Sequence, residues 1–171
     1  QTKNKILKYN FHITVILFFL IFSCEKGDKN SDSQNSSTDS LSIYLSFAKN
    51  NDFTLTKRLK FNQKAFVILS KSKNDSVNRN ELYNVAFRFQ FLGDDKTFRK
   101  SLDVTLENSE EENDTLIIAK TYNLLGNYHN KFSQNDSAYY YLLKSEKLFF
   151  KLKDSLGLAQ NYMDKAFVQL Y

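Results

Sequence analysis

Steps of forty residues from Gly126 land on Ala86, on Ala166 and, two steps back, on Ser46, and all four residues are small. The same step carries Tyr122 to Tyr162 and Ala119 to Ala159. It also links Leu142 to Leu102, and Ser145 to Thr105 and Ala65. Three Asp-Ser/Thr pairs, Asp75-Ser76, Asp114-Thr115 and Asp154-Ser155, stand 39 and 40 residues apart. Asp before Ser or Thr at the edge of an apolar run predicts a helix N-cap, because its side-chain oxygen satisfies a backbone N–H that the helix leaves free. Between caps, apolar residues recur at close to 3.6, which predicts two amphipathic helices of roughly 14 to 18 residues per unit. In one unit Leu116, Ala119, Tyr122 and Gly126 form the first stripe. Ala138, Tyr141, Leu142, Ser145 and Leu148 form the second, across a polar turn at "SQND". A pair of helices this short cannot bury its stripes alone and must stack on the next pair. The expected fold is therefore all-α, built of antiparallel helix-turn-helix units.

Gly126 lies within a helical pattern, "YNLLGNYHN", where glycine costs roughly 1 kcal/mol relative to alanine. The small residue is expected to mark where a neighbouring helix backbone comes close.

The unit around Gly126 resembles the tetratricopeptide repeat. With Ala119 as its first position, Tyr122, Leu125, Gly126, Ala138, Leu142 and Ser145 fall where that family carries its aromatic, Leu-Gly, Ala, apolar and small residues. His129 stands where the family has Tyr. The preceding unit offers Leu82, Val85, Ala86, Phe89, Gly93, Leu102 and Thr105, with Phe98 in place of the helix B Ala. The unit from Leu45 to Ser70 has Arg58 at that place, and the last unit stops after its first helix. The usual Pro is missing, and the period is forty rather than about 34. The resemblance covers residues 41–171 and implies helical repeats stacked into a right-handed solenoid. HEAT and armadillo arrays share the period, but their Pro and Asp/Arg landmarks are absent. Propellers need Gly-rich turns, and this chain has 4 Gly.

In that family the first helix of each repeat lines a concave groove. Carried over, the groove residues are Asn80, Tyr83, Phe87 and Gln90 in one unit and Lys120, Asn123, Asn127, Asn130 and Lys131 in the next. The resemblance implies donors for a peptide backbone or a carboxylate. Asn123 occupies a place where a clamp for acidic tails would carry Lys.

The first 24 residues read as an address. Basic "KNKILKYN" precedes the ten-residue apolar run "ITVILFFLIF", which is too short to span a bilayer as a helix. Such a pattern describes a secretory signal over 1–23. "LIFSC" resembles a bacterial lipobox, which implies cleavage before Cys24 and lipidation of Cys24 as a membrane anchor. Residues 24–40 then read as the lipidated Cys and a flexible linker, because "EKGDKNSDSQNSSTDS" has no aliphatic or aromatic residue. The expected place is the bacterial cell envelope, on the periplasmic or surface side. Gln1 is not Met and Tyr171 falls inside an amphipathic pattern, so the chain is expected to be a fragment of a longer product.

No catalytic set is visible. There is no Gly-rich phosphate loop, no paired-Cys spacing and no His-Glu-x-x-His, and the one Cys excludes an internal disulfide. Of the two histidines, His12 lies in the signal and His129 on the packing stripe. Glu110, Glu111 and Glu112 are expected in a solvated inter-repeat turn without calcium-ligand spacing. The formal charge is +5, but the 24 basic residues fall to 21 against 19 acidic ones once Lys3, Lys5 and Lys8 are set aside. With no basic stripe, nucleic-acid binding through this segment is not expected. No cofactor and no metal is expected. The predicted function is non-catalytic binding of a protein or peptide by an envelope-anchored repeat scaffold. The alternative follows from a second resemblance, to sensor proteins of Bacteroidetes-type bacteria. There such repeats precede a transmembrane helix and a histidine kinase or DNA-binding module.

Overall fold

Asp75, Asp94 and Asp114 each accept a hydrogen bond from the backbone N–H three residues on, at Asn78, Thr97 and Ile117, and each begins a helix. Asp154 does the same for Gly157 at 3.0 Å. Thr54 caps with its hydroxyl, accepting from Lys57. These caps open most of the helices of a computed structural model that describes residues 40–170. The helices are α1 (40–49), α2 (Leu55–Leu69), α3 (Ser76–Leu92), α4 (Asp95–Glu111), α5 (Thr115–Lys131), α6 (Asn135–Leu152) and α7 (Ser155–Leu170). No strand occurs among the described residues. The signal segment, Cys24 and the linker up to residue 39 lie outside them.

The forty-residue repeat divides in two. Among the described residues, those with positive φ are Gly93 (81°), Asn113 (56°), Ser133 (56°) and Lys153 (57°), spaced by twenty. At the last three the chain closes a Schellman turn. The N–H groups of Asp114, Gln134 and Asp154 reach back to the carbonyls of Ser109, His129 and Phe149 at 2.9, 3.0 and 3.0 Å. Each of these residues directly precedes the next helix, so each of these short links between helices carries one left-handed residue. Gly93 takes this conformation without the steric penalty of a Cβ. Gln134 opens α6 without a side-chain cap.

Consecutive helices pack from α2 to α7, and α5 also touches α3 and α7. One core joins Ala65, Phe66 and Leu69 of α2, Leu82, Val85, Ala86 and Phe89 of α3, Phe98 and Leu102 of α4, and Leu124 and Leu125 of α5. A second holds Ala138 and Leu142 of α6 with Val168 of α7. The small residues at the hairpin contacts, Ala65, Thr105 and Ser145, are fully buried. The Ser145 hydroxyl donates to the Ala119 carbonyl across α5 and α6 at 2.8 Å.

A Cβ added at Gly126 would lie 2.6 Å from Leu142 Cγ and 3.2 Å from the Ala138 carbonyl oxygen. The close neighbour is thus α6, the second helix of the same hairpin. Ala86 is buried like Gly126, whereas Ser46 and Ala166 are exposed. Leu116, expected on the stripe, is 38 % exposed in the first turn of α5, and Ile117 is buried instead. Glu110 and Glu111 belong to the last turn of α4, with Glu112 as its C-cap. Glu110 accepts from the Tyr122 hydroxyl at 3.1 Å, and Glu111 from Asn74 at 3.2 Å.

Asp94 connects a cap to its neighbour. Burial raises its pKa, but hydrogen bonds from Thr97 and Gln63 and the charge of Lys96 outweigh that and hold it below the ordinary carboxylate value. A depressed folded pKa contributes stability above the unfolded pKa of about 4, and that stability is lost as pH falls through the folded value. Asp94→Asn keeps a capping side chain. Its urea midpoint is therefore expected below that of the parent at pH 7, with the gap closing below about pH 4. A gap that does not narrow as pH falls below about 4 would exclude the ionic contribution.

Candidate functional site

The first helices of successive units, α3, α5 and α7, present one shared face. A ladder of side chains links α5 to α7 beneath it. Asn123 Nδ2 donates to Asp164 Oδ2 at 2.5 Å, and Asn127 Nδ2 donates to the same oxygen at 3.2 Å. Gln160 Nε2 donates to Asp164 Oδ1 at 3.0 Å from one turn earlier on α7. Asn161 Nδ2 donates to Asn123 Oδ1 at 2.8 Å and to the Leu142 carbonyl at 3.0 Å. The helical spacings set this up, since residues four apart, Asn123 with Asn127 and Gln160 with Asp164, share a face.

The ladder parts two clefts. One, of about 320 Å³, is lined by Gln90 and Phe91 of α3, Phe98 of α4, Asn127, Asn130 and Lys131 of α5, and Asp164 and Phe167 of α7. The other, of about 300 Å³, is lined by Tyr83, Lys120, Asn123, Phe149 and four residues near the start of α7, Asp154, Leu156, Gly157 and Gln160. Both lie at the small end of the range for ligand sites.

Seven of the nine residues placed in the groove from the sequence line these clefts. They fall into two groups: Gln90, Asn127, Asn130 and Lys131 in the first, and Tyr83, Lys120 and Asn123 in the second. Asn80 and Phe87 line neither; both are exposed on α3. Phe87 continues a row of rings along that helix, stacked on Tyr83 at 6.4 Å and edge-on to Phe91 at 5.3 Å.

The chemistry of the face differs from what its residue types suggest. Asn123 is only 7 % exposed, and both ends of its amide are engaged inside the protein. The Lys131 ammonium pairs with Asp95, and that of Lys120 sits 5.5 Å above the Tyr83 ring. The donors expected for a partner's carboxylate are largely engaged within the chain. At the centre is a buried acid, Asp164, which is 8 % exposed. Burial first, and then the charge of Asp164, push the Tyr83 hydroxyl up to about 12. Asp164 was not singled out from the sequence. The signal in the sequence is a polar pair, Asn161 and Asp164, three residues apart and so on one side of a helical pattern, "LGLAQNYMDKAFV".

His129 is half-buried on α5. Its ring stacks on Tyr141 at 5.2 Å, and Nδ1 lies 2.6 Å from Gln134 Oε1. Among the described residues no cluster of three or more His, Cys, Asp or Glu side chains could hold a metal ion. None of their helices is long and apolar enough to cross a membrane. No protein-family model, no curated protein and no solved structure matches the chain.

Proposed function

We propose that the chain is a tetratricopeptide-like scaffold, wound as a right-handed solenoid, that binds an extended protein segment along the face of α3, α5 and α7. It is non-catalytic in this reading, and a lipid on Cys24 holds it at a bacterial envelope membrane. The observation that carries the binding role is the pair of clefts flanking one amide ladder, each bordered by α3, α5 and α7. Residues two turns apart on adjacent helices then meet successive parts of one ligand. Amides suit a peptide backbone because each offers both a donor and an acceptor. The exposed rings Phe87 and Phe91 add apolar contact beside them.

The test is a peptide-display selection against the full 171-residue chain, followed by titration of the selected peptides. The double variant Gln90→Ala, Asn130→Ala is expected to weaken binding at least about tenfold, roughly 1.4 kcal/mol. The control Lys147→Ala, Lys151→Ala changes two exposed residues of α6 and is expected to leave affinity unchanged. A selection that yields no binder, or equal losses in both variants, would remove this face from consideration.

A further inference from the structure

We propose that the cleft between α3, α5 and α7 takes an arginine side chain of the bound peptide, its guanidinium placed against Asp164 and between Phe91 and Phe167. This rests on the peptide-binding reading and names the chemistry that it selects.

The first ground is charge. Asp164 is more than nine-tenths enclosed, and its three hydrogen bonds all come from neutral amides. Among the described residues it forms no ion pair. A buried charge without a counter-charge is costly. A carboxylate has about four acceptor positions, so three donors leave room for another. The second ground is the distribution of acceptors. Because Asn127 turns its Nδ2 to Asp164, its carbonyl oxygen is the end left for a ligand. Gln90 lines the same cleft, and its Oε1 is buried without a hydrogen-bond donor. The third ground is shape. Phe91 and Phe167, 64 % and 53 % exposed, border the cleft from different helices.

A carboxylate, an amide oxygen short of a donor and aromatic walls suit a flat cation with several N–H groups. Guanidinium has that form and stacks on rings, whereas an ammonium is a compact, strongly hydrated point charge. An acidic ligand would meet Asp164 with like charge. Lys131 borders the cleft but is paired with Asp95 and half-exposed at its edge.

The experiment titrates the full chain with N-acetyl-Ala-Arg-Ala amide and with the same peptide carrying citrulline, which keeps the shape and loses the charge. Side-chain amide NMR signals of Gln90, Asn127 and Asn130 report the site. The arginine peptide is expected to shift these signals saturably and to bind at least about tenfold more tightly than the citrulline peptide. Phe91→Ala with Phe167→Ala, both at exposed positions, is expected to weaken it severalfold. Asp164→Asn is expected to erase the difference between the two peptides; should that variant fail to fold, the citrulline comparison and the Phe variants still decide. Equal binding of both peptides, no binding of the arginine peptide, or indifference to loss of both rings would overturn the proposal. If display-selected peptides without arginine still depend on Gln90 and Asn130, the arginine inference falls and the groove reading stands. If no peptide of any kind binds this face, both fall.

Discussion

Phe89→Ala is expected to lower stability by about 3–5 kcal/mol, the range for removing a fully buried ring. Phe89 has no exposed surface and meets the Phe66 ring edge-on at 6.1 Å. It belongs to the core cluster that joins α2, α3, α4 and α5, so the cavity opens inside the main core. The walls are already packed from several sides and have little room to collapse. For a domain whose total stability is about 5–15 kcal/mol, the loss is a large part of the whole. Urea unfolding followed by circular dichroism gives the measurement. Phe89→Leu, which keeps most of the volume, is expected to lose far less. A loss below about 1 kcal/mol for Phe89→Ala would mean that the α2–α4 contacts are not packed as described.

Gly126→Leu is the second large effect, and it acts by excess volume. The first added carbon already falls 2.6 Å from Leu142 Cγ and 2.7 Å from Leu142 Cδ2. Leu142 has no exposed surface, so its side chain has nowhere to swing. The Ala138 carbonyl at 3.2 Å is backbone and can yield only if α6 moves. Overpacking of this kind costs about 1–3 kcal/mol, against about 0.8 kcal/mol gained in helix propensity. A net loss in melting temperature is expected. The decisive control is a pair. Gly126→Ala alone is expected to destabilise, and adding Leu142→Ala is expected to cost less than the Leu142→Ala change does in the parent. Strict additivity of the two changes would show that the residues do not share the space.

Much of the local structure was legible. The sequence predicts caps at Asp75, Asp114 and Asp154, and all three do cap, because an N-cap depends on one side chain and the N–H three residues away. Gly126 was legible as a close approach because glycine inside a helix is a cost that packing must offset. Asp94 was harder, since the first helix of that unit ends on Gly93 with no Asp-Ser/Thr pair behind it. The twenty-residue half-period was hidden for a related reason. Its turn positions hold Gly93, Asn113, Ser133 and Lys153, which share a backbone conformation and no side-chain chemistry.

The candidate site was legible only as a list of residues. The resemblance to the tetratricopeptide repeat assigns Gln90, Asn127 and Asn130 to its groove, and the structure places them around one cleft. Spacing cannot say what an amide donates to. The Asn123 and Asn127 donors turn inward because α7 brings Asp164 to them from 41 and 37 residues away.

The sequence by itself determined the helical periodicity, the caps at Asp75, Asp114 and Asp154, the forty-residue repeat and the need for a small residue at Gly126. Each of these follows from contacts within a turn or from the periodicity of burial, which are local properties of a chain. The tertiary structure alone decided that α5 approaches α6 through Gly126 and Leu142, that two clefts flank the α5–α7 ladder, and that the shared face is centred on an acid rather than on lysines. Those outcomes depend on how α3, α5 and α7 are placed side by side. A charge or an amide acquires its role from the groups that packing sets beside it.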